Sequence, residues 1–353
     1  MVYKVKGLPW SCGIGKNVSD CLTTQEVMKK SGLDYEVQKC KLVAKMPFSI
    51  KGNNEIKNDD GFAYKGNIYR DCDNAFATYR TDYNIPLGIV KDKYEVIQNV
   101  DAFSFFDDAI GKDKAVWDTA GYFGHGNKIF VSAKLPQETI VGDDKIDNYL
   151  VFGSSHDGSS SINILFTPIR VICTNMLNGA LNNNNAYIRI KHTVKAKEKL
   201  QIGAEILRVA CEYAKSTQEL YKTINNCSLN EADVIKYIAD LHLTEEERNK
   251  LLTFDKDKGY EKLLISDYRL KEQTNISQRK INTIISIYNY YHKGIGQNSI
   301  KGTAWGAYNA VTGYYSNVVN MEGEKRVESL LYGGANRTMN KALNDAYNLA
   351  IAI

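Results

Sequence analysis

The stretch HDGSSSINILFTPIRVICTNMLNGAL, residues 156–181, determines the fold predicted for the centre of the chain. It opens with an Asp-Gly turn and continues as a strand. After Phe166 the apolar residues recur three and four apart, the spacing of a buried helical stripe. With Thr167 as cap and Pro168 in the first turn, this spacing predicts a helix from about residue 168 to 182. The predicted stripe comprises Ile169, Ile172, Cys173, Met176, Leu177 and Ala180.

Two pairs of strands are predicted before that helix. VWDTAGYFGHGNKIFVSAKL, residues 116–135, has two strand-like runs joined by the turn Gly124–Asn127. DNYLVFGSSHDGSSSINILF, residues 147–166, has two more, joined by SSHDGSS. Glycine with Asn or Asp between such runs is typical of β-hairpins. The sequence therefore predicts an α+β protein whose centre, residues 114–194, is an antiparallel sheet of hairpins with a packed helix.

The regions on either side of this centre have different patterns. Residues 1–113 are predicted to be an irregular α+β segment. It holds a short helix in TTQEVMKKSGLDYEV, which is capped by Thr23 or Thr24 and ends at Gly32. Residues 195–353 carry helical apolar spacing and acidic first turns, so a mostly helical C-terminal region is predicted there.

Composition and motifs exclude several classes of protein. The 353 residues have a formal net charge of +4, which permits a local basic face without requiring an anionic partner. Seven cysteines occur without a C-x-x-C pair, so we expect reduced thiols rather than disulfides or a zinc site. No apolar run reaches the ~18 residues of a membrane span. We therefore expect a cytoplasmic protein, in the host cytoplasm if it is phage-encoded, with no membrane partner.

The sequence also lacks the common nucleotide-binding loops. Neither G-x-x-x-x-G-K-[ST] nor a G-x-G-x-x-G after a strand occurs, and these are the motifs that hold phosphates at a helix start. GYFGHGNKIF is rich in glycine, but it lies in a predicted hairpin. We expect no cofactor and no ATP-driven motor.

Three polar side chains of the central stretch are candidate ligand contacts. His156 lies in the predicted hairpin turn, which either is only a stable turn or faces a ligand. Arg170 falls in the first turn of the predicted helix, where a cation opposes the helix dipole. That mismatch indicates a partner, which is either a carboxylate or a nucleic-acid phosphate. Asn175, like Arg170, does not lie squarely on the apolar stripe.

The strand AYIRIKHT adds three further candidates. Side chains alternate along a strand, so Tyr187, Arg189 and Lys191 share one face, while Ile190 and His192 point to the other. An aromatic ring followed by two cations is the composition of a surface that binds single-stranded nucleic acid. A solvated sheet face has the same composition, and the sequence leaves both interpretations open.

Cys173 raises the question of catalysis. A nucleophilic cysteine needs a lowered pKa and a neighbouring base, which His156 or His192 would supply in space. On the apolar stripe, however, a free cysteine is more often a packing residue. An enzyme of this kind would bring these three side chains within hydrogen-bond reach in one pocket.

Several pieces of the sequence, in order, resemble the phage/plasmid-like proteins of domain of unknown function 932. The early tryptophan, Trp10, is followed by Ser11 where the family often has a histidine, so no role of that histidine is transferred. The matching pieces are GLPW, LGIVKDKYEVIQNVDAFSFFDDAI, WDTAGYFGHGNKIFVSAKLP, GDDKIDNYLVFGSSHDGSSSINILFTPIRVICTNMLNGAL, RIKHT, GTAWGAYNAVTGYY and NRTMNKALNDA.

The resemblance implies a role in the DNA metabolism of a mobile element or in conflict with the host. The hairpin-hairpin-helix order of residues 116–182 also resembles the core of Rad52-type single-strand annealing proteins, by topology alone. We therefore expect an ATP-independent protein that binds and anneals single-stranded DNA as a homo-oligomer, in recombination or replication. Its expected contacts are His156, Arg170, Asn175, Tyr187, Arg189 and Lys191.

Two alternatives belong to other classes. One is a non-enzymatic protein that binds a host or phage protein or is carried in the virion, which needs no basic surface. The other is the enzyme with His156, Cys173 and His192 described above.

Overall fold

A computed structural model gives the fold of most of the chain. It describes residues 3–4, 6–8, 10, 13–47, 61–64, 67–104, 115–173, 175–177, 187–193, 203–256, 258–265 and 268–352. The fold is α+β, with a curled antiparallel sheet, a second antiparallel sheet and a mostly helical C-terminal region. The fold class predicted from the sequence is confirmed.

The larger sheet has seven strands in the order β1-β6-β7-β8-β9-β10, with β11 also paired to β9. All of its pairs are antiparallel. Register shifts between Trp117 and Thr119 and between Lys134 and Glu138 are the irregularities that bend a sheet. The strands are β1 (Gly15–Asn17), β6 (Val116–Phe123), β7 (Lys128–Val141), β8 (Asp144–Ser155), β9 (Ile162–Arg170), β10 (Asn175–Met176) and β11 (Tyr187–Ile190).

Both predicted hairpins are present in this sheet. Strands β6 and β7 join through a turn in which Gly124 and Gly126 have positive φ of 59° and 105°. Strands β8 and β9 join through residues 156–161, where Gly158 has a φ of 75°. Glycine adopts these backbone angles without steric cost, which is why turn chemistry located the hairpins from sequence.

The helix predicted from about 168 to 182 is wrong over the part that the structure describes. Residues 162–170 form strand β9, in which all nine residues are buried. A turn at 171–173 follows, and β10 then pairs back on β9, with Asn175 opposite Arg170. Ile172, predicted to be core, is 55% exposed. Residues 178–182 of the predicted helix lie outside the described residues.

Burial of β9 on both faces explains the error. Ile164 packs into the core cluster on one face and Ile169 into the cluster on the other. A strand covered on both faces is apolar at odd and even positions, so the two-residue alternation disappears. The apolar residues of a strand, a turn and a second strand then matched a helical spacing by coincidence.

A smaller sheet precedes the hairpins, and its strands surround the turn at His156. Its order is β2-β4-β3, with β5 paired to β4. A Cβ on Gly88 would lie 2.4 Å from the Cα of Asp157, so only glycine lets β5 approach the turn this closely. The strands are β2 (Val37–Pro47), β3 (Gly61–Tyr64), β4 (Asn67–Arg80) and β5 (Ile85–Lys91).

Capping residues set the two ends of the first helix, and further helices follow along the chain. Helix α1 (Thr24–Ser31) starts at a capping box between Thr23 and Glu26 and ends at Gly32 with a φ of 74°, as predicted. A short α2 (Asn99–Phe103) follows β5. The described C-terminal helices are α3 (Gly203–Asn225), α4 (Glu231–His242), α5 (Glu245–Phe254), α6 (Gly259–Ile265), α7 (Tyr268–Thr274), α8 (Gln278–Lys293), α9 (Ala304–Gly313), α10 (Gly323–Leu331) and α11 (Gly334–Ile351). A π-helical turn, Tyr314–Val318, continues α9.

The large sheet is covered on both faces. On one face Phe152 and Ile164 pack in a cluster with α1, α2 and the start of α3, and α3 also contacts β7 and β9. On the other, Val151 and Ile169 pack with Trp10 and with residues of α10 and α11. Among the described residues, the helix that follows the hairpins and covers the sheet is therefore α3. None of the described helices combines the length and apolar character needed to cross a membrane.

The corrected placement of the apolar residues predicts unequal costs for two isoleucines. Ile169→Ala should lower the free energy of unfolding by roughly 2–5 kcal/mol, because Ile169 is 2% exposed in the core. Ile172→Ala should cost less than about 0.5 kcal/mol, since the turn leaves that side chain mostly in water. Urea denaturation of both variants measures the difference, and equal losses would contradict the turn at 171–173.

Candidate functional site

Arg170 lies at the end of β9, buried beneath the helical region. Its side chain is 0% exposed. The guanidinium donates to both carboxylate oxygens of Asp144, with Nε–Oδ2 2.9 Å and Nη2–Oδ1 2.6 Å. Nη2 also donates to the carbonyl oxygen of Gly296 at 2.8 Å, and Trp305 Nε1 donates to Asp144 Oδ2 at 2.9 Å. Of the two partners that the sequence left open, the structure contains the carboxylate.

Asn175 fastens the short strand β10 to the helices. Its Nδ2 donates to the carbonyl oxygen of Asn309 at 3.3 Å, and its Oδ1 accepts from Asn317 Nδ2 at 2.9 Å. The backbone N–H of Met176 donates to Ser316 Oγ at 3.2 Å. Both Ser316 and Asn317 belong to the π-helical turn, so this irregular turn supplies the polar groups that pair with β10.

His156 lies inside the turn between β8 and β9. Its ring Nε2 is 2.8 Å from Asn99 Oδ1, an acceptor, so Nε2 carries the proton. Its backbone N–H donates to the Asn127 carbonyl at 2.7 Å, and its carbonyl accepts from Thr78 Oγ1 at 2.6 Å. Burial, with a smaller effect from nearby His192, lowers the pKa of His156 to about 3. The side chain is therefore neutral at physiological pH.

These three predicted contact residues are alike in being fully buried. His156, Arg170 and Asn175 are each 0% exposed. Hydrogen bonds from His156 Nε2, the Arg170 guanidinium and the Asn175 amide to neighbouring elements hold the turn, the end of β9 and β10 in place. We therefore assign the three side chains to the interior of the protein rather than to a binding surface.

Cys173 and the histidines do not form one site. Cys173 Sγ lies 3.8 Å from Arg170 Nη1, and burial raises the pKa of the thiol. His192 Nε2 lies 3.3 Å from Ser154 Oγ, and burial lowers the pKa of that ring. No hydrogen bond among the described residues joins Cys173 to His156 or His192. The pocket that the enzyme interpretation requires is not formed by these three side chains.

Arg189 of strand β11 and Lys191, the residue directly after the strand, are exposed cations. Ile190 and His192 are 3% and 7% exposed, whereas Arg189 and Lys191 are exposed. The predicted division of this strand into a buried and an exposed face is confirmed for these four residues. Tyr187 belongs to β11, but its side chain lies outside the described part of the structure.

The register of the sheet places Arg189 in a row of residues on one face. Arg189 is opposite Asn163, and Asn163 is opposite Gly153. Directly opposite residues of antiparallel strands point to the same side. Arg189 Nε also donates to Ser161 Oγ at 3.0 Å, which holds the guanidinium over this face.

An exposed aromatic ring shares this face, and no sequence pattern indicated it. Tyr332 follows α10 and is 38% exposed. A Cβ on Gly153 would lie 2.9 Å from the Tyr332 hydroxyl, so the ring reaches the sheet where a side chain is missing. Gly153 and Arg189 are two strand spacings apart, so their Cα atoms are about 10 Å apart. Only the register brings these positions together, since they come from β8, β11 and the end of α10.

The described residues contain no group of three or more histidine, cysteine or carboxylate side chains placed to hold a metal ion. The chemistry that this face offers is cationic and aromatic contact with a ligand.

Removing the guanidinium of Arg170 should be costly. Arg170→Met leaves Asp144 as a buried, unpaired charge, which typically costs about 3–5 kcal/mol of unfolding free energy. As a control, Lys250→Ala removes an exposed pair with Glu246 on α5 and should cost less than about 0.5 kcal/mol. Chemical denaturation measures the loss of unfolding free energy in both variants. If Arg170→Met loses as little as Lys250→Ala, the Arg170–Asp144 pair does not hold the sheet to the helices.

His156 should make the protein sensitive to acid. Its folded pKa, about 3, lies below the ordinary value of 6.5, so its contribution to stability is complete above pH 6.5. That contribution is lost as the pH falls from 6.5 towards 3. His156→Gln should reduce the slope of unfolding free energy against pH in this window by up to about 1.4 kcal/mol per pH unit. A slope that His156→Gln leaves unchanged would contradict the assignment.

Comparison with known proteins identifies the family. The family model described as Domain of unknown function (DUF932) matches residues 86–346, from β5 into α11. Neither the curated proteins nor the solved structures gave a match. The matched range holds both hairpins, the buried Arg170–Asp144 pair and the exposed face of β11, and it covers most of the chain. The protein therefore belongs to the DUF932 family.

Proposed function

We propose that this protein binds single-stranded DNA without ATP and promotes its annealing, in recombination or replication of a phage or plasmid. The observation that carries the proposal is the exposed face of β11. Arg189 and Lys191 provide two cations there, and Tyr332 provides a ring on the same side of the sheet. Cations for phosphates and a ring for base stacking are the two requirements of single-strand binding.

The spacing of these groups favours a single strand over a duplex. In a single strand the bases are free to stack on a protein ring, whereas in a duplex they are stacked and paired inside. The Tyr332 ring contacts β8 at Gly153, two strand spacings (about 10 Å between Cα atoms) from Arg189, and such an arrangement suits a ligand that presents phosphates and open bases together. Because no phosphate-holding loop occurs in the sequence, binding energy rather than ATP hydrolysis would drive annealing.

The architecture is a second support. Four antiparallel strands, β6 to β9, are followed along the chain by the short strands β10 and β11 and then by α3, which packs on β7 and β9. This order resembles the hairpin-hairpin-helix order behind the analogy to Rad52-type annealing proteins, except that two further strands precede the helix and α3 takes the place of the helix expected at 168–182. Two cations per chain make a short contact, so we further propose that a homo-oligomer provides a continuous path for the strand.

Charge reversal on β11 tests the phosphate contacts. If Arg189 and Lys191 each neutralise one phosphate, each contributes roughly 0.7 to the slope of log affinity against log salt. Arg189→Glu with Lys191→Glu should weaken binding of an oligodeoxythymidine and reduce that slope by about 1.4. Fluorescence anisotropy across a salt series measures both quantities.

A matched control separates contact from net charge. Lys256→Glu with Lys258→Glu changes the charge equally, on exposed residues between α5 and α6. This variant should retain the slope of the wild-type protein. If both double variants behave alike, or if the wild-type protein binds no single strand at low salt, the proposal fails. A non-enzymatic protein that binds a host or phage protein would then be the better interpretation.

Loss of the Tyr332 ring should change DNA binding in a different way from loss of the two cations. Tyr332→Ala should weaken binding by roughly 1–3 kcal/mol through lost stacking, while the salt slope stays unchanged. Tyr332→Phe should retain affinity, and Tyr83→Ala, which removes another exposed ring, serves as the control. If Tyr332→Ala keeps the wild-type affinity, the ring is not part of the binding surface.

A further inference from the structure

A cavity of about 510 Å³ lies in the helical region, away from the exposed face of β11. Helix α4 contributes residues spaced three and four apart, Asp233, Lys236, Tyr237 and Asp240, so they share one face of that helix. Helix α11 contributes Lys341, Asp345, Asn348 and Leu349 in the same way. The lined face of α4 spans eight residues, Asp233 to Asp240, and the seven steps between them are about 10 Å of helix. The cavity is therefore large enough for a small organic molecule and too long for an inorganic ion alone.

The oppositely charged side chains of this cavity form long ion pairs. Lys236 Nζ and Arg248 Nε are each 4.0 Å from a carboxylate oxygen of Asp240, and Lys341 Nζ is 3.9 Å from Asp345 Oδ2. These separations exceed the ~3.2 Å limit of a good N–H···O bond. Both signs of charge thus keep hydrogen-bonding capacity for a molecule that enters between them.

Some of these groups are held in place by bonds of their own. Lys341 Nζ donates to the carbonyl oxygen of Asp240 at 2.8 Å, and Tyr260 Oη donates to Asp240 Oδ1 at 3.0 Å. Tyr237 Oη donates to the carbonyl of Ala342 at 2.7 Å, which joins α4 to α11. The walls of the cavity are therefore formed before any ligand arrives, and binding would not need to order them.

The combination of groups defines the class of ligand. Cations suit a phosphate, while carboxylates accept hydrogen bonds from amino groups. Leu229 and Leu349 add apolar surface for a ring. A bare anion would leave the carboxylates unused, and a bare cation would be repelled by Lys236, Arg248 and Lys341. Adenine, guanine and cytosine carry exocyclic amino groups, whereas uracil and thymine do not.

We propose that the cavity between α4 and α11 binds a nucleoside monophosphate whose base carries an amino group. The cations Lys236, Arg248 and Lys341 hold the phosphate, and Asp345 accepts from the amino group of the base. This site does not depend on the DNA-binding proposal, because it uses none of the residues of β11.

Calorimetric titration of the full chain tests the proposal with named probes: AMP, GMP, CMP, UMP, inorganic phosphate and glycine. The Arg189→Glu, Lys191→Glu variant is used as the background, so that binding on β11 does not contribute. At least one of AMP, GMP and CMP should bind at least about tenfold more tightly than UMP or phosphate. Absence of binding by every nucleotide, or equal binding by phosphate or glycine, would overturn the proposal.

Variants locate the site. Lys341→Met with Lys236→Met keeps the side-chain stems but removes two cations, and it should weaken the preferred nucleotide by at least about tenfold. Asp345→Asn should reduce the preference over UMP while binding is retained. Lys250→Met, on the exposed side of α5, is the control and should leave affinity unchanged. Circular dichroism confirms the fold of each variant, and folded variants with wild-type affinity would overturn the proposal.

Discussion

The ion pair between Arg170 and Asp144 is the interaction on which the assembly of the sheet and the helices depends. Removing two charges from water costs several kcal/mol per ion, so such a pair persists only where further hydrogen bonds complete it. Here Gly296 and Trp305 complete it, from the loop after α8 and from α9. Strands β8 and β9 thus carry a buried ion pair whose further hydrogen bonds come from the helical region. This couples the folding of the two regions more specifically than apolar contact alone.

Close packing around that site explains the small residues of GTAWGAYNAVTGYY. A Cβ on Gly306 would lie 2.3 Å from the carbonyl oxygen of Ile300, and one on Gly313 would lie 2.1 Å from a ring carbon of Tyr290. Larger residues would push α9 away from its neighbours and move Trp305 off Asp144. The π-helical turn after α9 then faces β10 with Ser316 and Asn317, whose polar groups bond to Met176 and Asn175. The glycines and the polar pairs thus stabilise the same contact, that of α9 and the π-helical turn with the sheet.

The side chains that look reactive in the sequence are those that the fold makes unreactive. Burial keeps His156 neutral and the Cys173 thiol protonated, because each charged form would lose its hydration. The functions proposed for the protein instead use surfaces that remain in water. The exposed face of β11 and the cavity of the helical region are two such surfaces, and they have no lining residue in common. A nucleic-acid role for the first and a nucleotide role for the second can therefore be judged separately.

Local chemistry in the sequence determined both hairpins, helix α1 and the two faces of β11. Turn glycines, the Thr23 capping box and side-chain alternation act within a few residues, so they can be recognised from the sequence without a tertiary structure. Only the tertiary structure decided the conformation of residues 168–173 and 175–177. With both faces of β9 covered, the alternation that marks a strand vanished, and the residues predicted as helix became strand, turn and strand. The partner of Arg170, the position of Tyr332 over Gly153 and the cavity between α4 and α11 were likewise decided by tertiary contact. Each joins residues far apart in the chain, and no spacing rule within one element relates them.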